Sequence, residues 1–265
     1  MKVLLLDGMN LIHRSRSGWM KGTNPITFNF FRNLKPILEK FQPDQAYFVL
    51  EGRPKHRTNL LPEYKGTRKK QPDSFWRQKD EILDILARLP IFQIRHPDYE
   101  CDDVIASLCQ EHVLSGDEVT IVSNDSDFIQ VFDTMDSNVV RIYNPMKKSF
   151  VEPPPYNYLC WKSLRGDGSD NIPGIKGVGD RTAEKLMSDS NKLHEFLSKA
   201  DNRSVFQRNK ELIGFHPIPG EGIECNKPEP DLQYVYDTFA SMGFGSMIKD
   251  SYWPKFCKSF STLGL

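Results

Sequence analysis

A series of carboxylates in this 265-residue chain stands where a parallel sheet would gather them. Asp7 directly follows the apolar run Val3–Leu6, and Glu51 follows Ala46–Leu50. Asp125 and Asp127 follow Val119–Val122. Glu100, Asp102 and Asp103 lie between the strand-like Ile91–Ile94 and the next helical stretch. Asp167 and Asp170 form a fifth group. Strands of a parallel sheet end on one common edge, where such folds place their sites. So many acids in one cleft repel unless cations balance them. An oxygen donor set without His or Cys selects hard divalent cations, so two magnesium ions are expected, with manganese as a substitute. Two such ions about 3.5–4 Å apart form the usual clamp for phosphodiester hydrolysis.

Each group alone has a simpler account. Asp102 and Asp103 suit a helix N-terminus by capping and dipole. Asn124–Asp127 suits an Asx-turn entering a helix. Asp167 and Asp170 suit an ordinary loop. Jointly these accounts leave unexplained why acids follow one hydrophobic strand after another.

Two further segments bear on substrate. Between Arg53 and Lys70 stand seven Lys/Arg residues (Arg53, Lys55, Arg57, Lys65, Arg68, Lys69, Lys70) against one acid, Glu63. A charge run is usually a solvated loop, but this one begins directly after Glu51 and suits a phosphodiester backbone. Within it Tyr64 is placed to stack on a base, and Lys65 and Arg68 to contact the scissile phosphate. The second segment is the turn Asn171–Gly179, leading into a helix over Arg181–Met187. Gly174, Gly177 and Gly179 let backbone N–H groups approach a phosphate, with Lys176, Arg181 and Lys185 beside them.

The elements that must position these residues alternate between strand and helix over the first two-thirds of the chain, the pattern of a mainly parallel α/β sheet. Helical patterns fall at Ile26–Phe41, Ser74–Leu89 and Asp102–Leu114, with a short helix at Ser126–Phe132 and a further strand at Val139–Tyr143. Pro153-Pro154-Pro155 marks a linker or corner. Helical signals follow at Tyr156–Leu164, Arg181–Met187, Leu193–Leu197 and Leu232–Met242, and the Pro- and Gly-rich stretch His216–Pro230 reads as loop. Two units are expected: 1–152, carrying the sheet, and 153–265, helical and DNA-binding.

Five ordered strings over roughly residues 1–190 resemble the 5′ nuclease or flap-endonuclease superfamily, most closely its phage branch of ribonuclease H and 5′–3′ exonucleases. They are Leu6–Asn10, Tyr64–Arg68, Tyr99–Asp103, Ser123–Asp127 and Gly166–Gly174. The resemblance implies a PIN-like α/β domain, with a helical arch or flexible clamp near Arg53–Lys70. It implies a helix-hairpin-helix-type element at about 166–188 that grips duplex DNA, often with a potassium ion held by hairpin carbonyls. It implies one metal site at Asp7, Glu51, Glu100, Asp102 and Asp125, and a second at Asp125, Asp127, Asp167 and Asp170; Asp103 is counted with these acids. Lys65 and Arg68 would steady the phosphate, and cutting would leave a 5′-phosphate. Glu51 stands where the family usually has Asp, so its carboxylate reaches one methylene further; Thr67 stands where Asn is common. The implied activity is 5′–3′ exonuclease, flap endonuclease or RNase H cleavage of branched, nicked or primer-containing DNA and RNA–DNA during replication. The C-terminal helices are expected to dock a single-strand binding protein or sliding clamp.

The bulk numbers narrow the alternatives. Lys plus Arg equals Asp plus Glu, at 35 each, which excludes a simple DNA-coating protein. Five cysteines, an odd count without a CxxC pair, argue against a zinc cluster or disulfide framework and for free buried thiols. No apolar run approaches a membrane span, and the N-terminal apolar run is too short for a signal peptide, so the cytoplasm, of a bacterial host if phage-encoded, is expected; a monomer is expected as well. A haloacid-dehalogenase phosphatase would need an Asp where Met9 stands. A PIN ribonuclease would not need the hairpin. The remaining alternative is a non-catalytic branched-DNA binder, which has no need of the acids.

Overall fold

The structure, a computed structural model, describes residues 1–17 and 22–264. Strand β1 (Lys2–Asp7) is an unbroken apolar run closed by an acid, and Val3–Leu6 are buried. Helices α1 (Gly8–Arg14) and α2 (Pro25–Phe41) lead to β2 (Gln45–Val49). Next come α3 (Lys55–Leu60), α4 (Asp73–Ala87), β3 (Phe92–Arg95), α5 (Cys101–Leu114) and β4 (Glu118–Val122). A 3₁₀ helix (Ser126–Asp133) precedes β5 (Val140–Asn144) and β6 (Ser149–Val151). Then follow α6 (Tyr158–Arg165), β7 (Gly166–Asp167), β8 (Ile172–Pro173), α7 (Asp180–Met187), α8 (Ser190–Ser198) and α9 (Ala200–Ile213). The chain closes with β9 (Glu224–Asn226), α10 (Leu232–Ser241) and α11 (Trp253–Lys258).

Seven strands form one sheet in the order β6-β5-β4-β1-β2-β3-β9. The five central strands are parallel, and β6 and β9 close the edges antiparallel. Such a sheet is covered on both faces, which is why its strands are continuously apolar. In β1 the alternation is direct. Leu4 and Leu6 join the core under α2 and α4, while Val3 and Leu5 join the core under α5. The chain moves outward from β1 through β2 to β3, then returns to the other side of β1 as β4. That reversal opens a crevice at the C-terminal ends of β1 and β4. Leu6 is level with Phe48 of β2 and Val122 of β4, so Asp7, Glu51 and Asp125 follow on the same edge.

The expected unit 153–265 divides in the structure. Tyr158, Trp161, Leu164, Ile175, Val178 and Ala183 form a separate helical core. Beyond it the chain returns to the sheet. β9 pairs with β3 (Arg95 opposite Glu224), in a stretch read as loop. Phe239 of α10 and Phe256 of α11 are fully buried in the first core, where the Phe239 ring lies 5.3 Å from that of Phe31. Helix α9 was not foreseen either, since its sequence is mostly polar. The expected arch segment holds one short helix, α3, followed by turns.

Candidate metal centre and nucleic-acid cleft

Asp7 ends β1 buried. One carboxylate oxygen caps α1 by accepting from the Asn10 amide at 3.1 Å; the other accepts from Ser123 Oγ at 2.7 Å. Burial, with Asp125 and Glu51 nearby, pushes its carboxyl up to about 7. Glu51 accepts from the Cys101 amide at 3.1 Å, and burial raises it too. Asp102, in the first turn of α5, is held well above the usual carboxylate range by burial and then by Asp125. Asp125 is exposed and caps the 3₁₀ helix through the Asp127 amide at 3.0 Å. Burial raises Asp127 to about 6. One oxygen each from Asp127, Asp167 and Asp170 lies within 4.8 Å of the other two. The cleft offers what hard-cation binding needs: oxygen donors only, from separate segments, with Asp7 and Asp127 holding protons that a cation would displace.

Side-chain cations also stand among these acids. Lys65 Nζ is 2.5 Å from Glu100 Oε1 and 3.8 Å from both Glu51 and Asp170. Its backbone has a left-handed φ of 54°, unusual for a residue with a side chain. Arg68 reaches Asp170 at 2.6 Å. Lys162, almost fully buried on α6, bridges Asp127 and Asp167, the latter at 2.6 Å. Burial pushes Asp167 up, but the Lys162 ammonium and the Ser169 donors outweigh it and bring the carboxyl down to about 2.

Four sequence assignments change. Asp103 is fully buried, and its oxygens are taken by Arg57 at 2.7 and 2.8 Å and by the backbone of Glu100 and His216, so it completes a capping box and is no metal ligand. Arg57 faces inward, not toward DNA; besides Asp103 it binds Glu100 and the carbonyls of Leu212 and Gly214, tying the clamp segment to α5 and α9. Tyr64 is buried, its hydroxyl 2.8 Å from Glu100 and 3.3 Å from Asp170, so its ring is not open to a base. Gly174 packs against its own chain: a Cβ there would sit 2.0 Å from the Arg165 carbonyl oxygen. Its absence of a side chain closes the β7–β8 turn.

The other assignments fall on accessible positions. Arg53, Lys55, Lys69 and Lys70 are exposed on the clamp segment, with Lys55 paired to Asp98 at 2.6 Å. Gly177, at φ 83°, and Gly179 have open space where a side chain would be. Gly179 precedes α7, so the first free N–H groups of that helix face outward beside exposed Lys176, Arg181 and Lys185. Asn171 joins hairpin to clamp by donating to the Glu63 carbonyl at 2.9 Å.

Lys162 was missed from sequence. Its signal was present: Tyr158, Trp161, Lys162 and Arg165 share one helical face, and all but Arg165 are buried. A lysine on the buried face of a helix needs an anionic partner. Ser123 and Cys101, which touch Asp7, carried no such signal.

A parallel α/β sheet with acids crowding its C-terminal edge, beside a helical hairpin unit, defines a metal-dependent phosphodiester hydrolase. Residues 2–154 match the model of the 5′-3′ exonuclease N-terminal resolvase-like domain, and residues 153–215 match that of the 5′-3′ exonuclease C-terminal SAM fold. The chain belongs to the 5′-3′ exonuclease family, as the five motifs implied. It is 27% identical over 280 residues to DNA polymerase I of Thermus aquaticus, covering 94% of this chain but 33% of that protein. It therefore spans about a third of the length of such polymerases. It is 28% identical over 221 residues to a 5′-3′ exonuclease of Mycoplasmopsis pulmonis, covering 78% of this chain and 73% of that protein. In fold it is similar to the bacteriophage T5 D15 flap endonuclease, solved with DNA and metal ions, at a TM-score of 0.67, 18% identity and 98% coverage of both chains. No helix among the described residues is long and apolar enough to cross a membrane.

Proposed function

We propose that this chain is a structure-selective 5′ nuclease that cuts flaps, nicks and RNA–DNA duplexes using two magnesium ions. The observation that carries this reading is the charge arrangement of the cleft. Acids from five segments meet there, and Lys65, Arg68 and Lys162 hold them in check. In this reading Asp7, Glu51, Glu100, Asp102 and Asp125 serve one cation, and Asp125, Asp127, Asp167 and Asp170 the other. Bound cations supply an acidified water and neutralise charge on the phosphate.

The chain's own groups do the rest. Lys65 and Arg68, which pair with Glu100 and Asp170, stand where they would donate to a phosphate oxygen that carries growing charge, once those acids were engaged by cations. Gly177, Gly179 and the start of α7, with Lys176, Arg181 and Lys185, hold the duplex, with a potassium ion at the hairpin carbonyls. RNA-primer removal in replication agrees with the likeness to DNA polymerase I. Docking of a single-strand binding protein or clamp by the C-terminal helices has less support, because Val235, Phe239 and Phe256 are spent on the core.

The test is a set of 5′-labelled substrates: a flap, a nick, a blunt duplex and an RNA–DNA hybrid, with millimolar magnesium. Cutting of flap and nick above blunt duplex is expected. Retained binding without cutting would favour a non-catalytic junction binder.

A further inference from the structure

Beside the metal cleft lies a groove of about 1460 Å³ whose lining includes Met9 and Glu51. Asp127, Asp167 and Asp170 line the enclosed part of the cleft, next to the hairpin strands, whereas Glu51 lines the groove. Glu51 thus belongs to the acid set and borders the groove, so a strand held over the acids has the groove beside it. One wall is α4, which presents Trp76; the other is the β3–β9 edge.

Trp76 is 44% exposed although the preceding residue, Phe75, is buried. The Phe75 ring stands edge-on to it at 5.3 Å, and Lys79 Nζ lies 5.9 Å from its centroid. Around it the groove is cationic. Arg53 and Lys227 are exposed and make no ion pair among the described residues. Arg88 and Arg95 pair with the exposed acids Glu229 and Glu224, at 2.8 and 2.6 Å, pairs that exchange readily for phosphate, and Arg88 also lies over the Tyr234 ring. A flat aromatic among exchangeable cations is the pattern that binds single-stranded nucleic acid without reading its sequence.

We propose that this groove is a subsite for the single-stranded 5′ tail of the substrate, with Trp76 stacked on a base and Arg53, Arg95 and Lys227 on the phosphates. The assignment rests on the nuclease reading for the direction of the strand, but the binding itself is measurable apart from cleavage.

The test compares Trp76→Ala and Lys227→Glu with the unaltered chain on a nick and on the same nick carrying a 5′ tail of several nucleotides. Trp76→Ala should raise KM for the tailed substrate roughly tenfold, the loss of one stacked base, and leave the nick unchanged. Trp76→Phe should recover most of the loss, and Lys227→Glu should weaken only the tailed substrate, more at low salt. Equal effects on both substrates, or none on either, overturn the subsite. If the unaltered chain cuts neither substrate, the nuclease reading fails on its own. The groove is then judged by fluorescence anisotropy with a short labelled single strand. A roughly tenfold loss in Trp76→Ala supports it, and unchanged affinity overturns it.

Discussion

Lys65 Nζ lies 2.5 Å from Glu100 Oε1, so the side chain assigned to the scissile phosphate is occupied by an acid assigned to metal. Glu100 also accepts from Arg57 and Tyr64, which fixes its position. Lys65 is therefore a counter-ion to the cleft acids, and in the proposed reading it would become available where divalent cations replaced it. Lys65→Ala should lower kcat by roughly 100-fold, in the range for losing one charge-stabilising donor, with little change in DNA affinity. Equal turnover at saturating substrate would remove its role.

Arg57 should matter for stability and not for DNA affinity. Its guanidinium and the Asp103 carboxylate are both buried, and removing one partner of such a pair costs about 3–5 kcal/mol. Urea unfolding of Arg57→Met should show a loss of that size. Arg57→Met with Asp103→Leu should recover much of it. A loss near zero would place this network at an exchangeable surface.

The cleft acids make stability and metal binding depend on pH. Burial raises Asp7 to about 7 and Asp127 to about 6, so in the fold they keep protons that the unfolded chain releases near pH 4. Their contribution to stability is full below about pH 4 and is lost as pH rises through about 6 to 7. Asp167, at about 2, acts oppositely and only in acid. Without divalent ions, Tm should fall between about pH 5 and pH 8. The rise in Tm on adding magnesium should be small at the lower pH and large at the higher. A magnesium effect independent of pH would contradict the cleft assignment.

Lys162 pairs with Asp127 and Asp167, so in the proposed reading it would compete with metal for them. Lys162→Met removes that competitor and leaves like charges facing each other. The variant should be less stable without divalent ions and should bind magnesium more tightly, as read by calorimetric titration. Unchanged magnesium affinity would assign Lys162 to packing alone.

The sheet and most of its acids were legible because a strand buried on both faces must be continuously apolar, and an acid at its end interrupts that run. Asp102 and Asp103 were not separable. Neighbours on a helix point about 100° apart, and only the fold decides which faces the cleft. Arg57 reads as one more cation of a basic segment; its burial depends on partners 43 to 157 residues away. Helix α9 was hidden because few of its residues are apolar, and β9 because an edge strand of three exposed residues carries no alternation. Lys162 could have been found from its position on the inward face of α6.

The most direct test of the central claim is cleavage of a 5′-labelled nicked or flapped duplex by the unaltered chain and by Asp125→Asn, each with magnesium and with EDTA. Asp125 is assigned to both cations, so its carboxylate is the one whose loss should empty the mechanism while the hairpin still holds DNA. Cutting should occur only in the unaltered chain with magnesium, with binding retained in the variant. Cleavage in EDTA, or full activity in Asp125→Asn, would contradict the account.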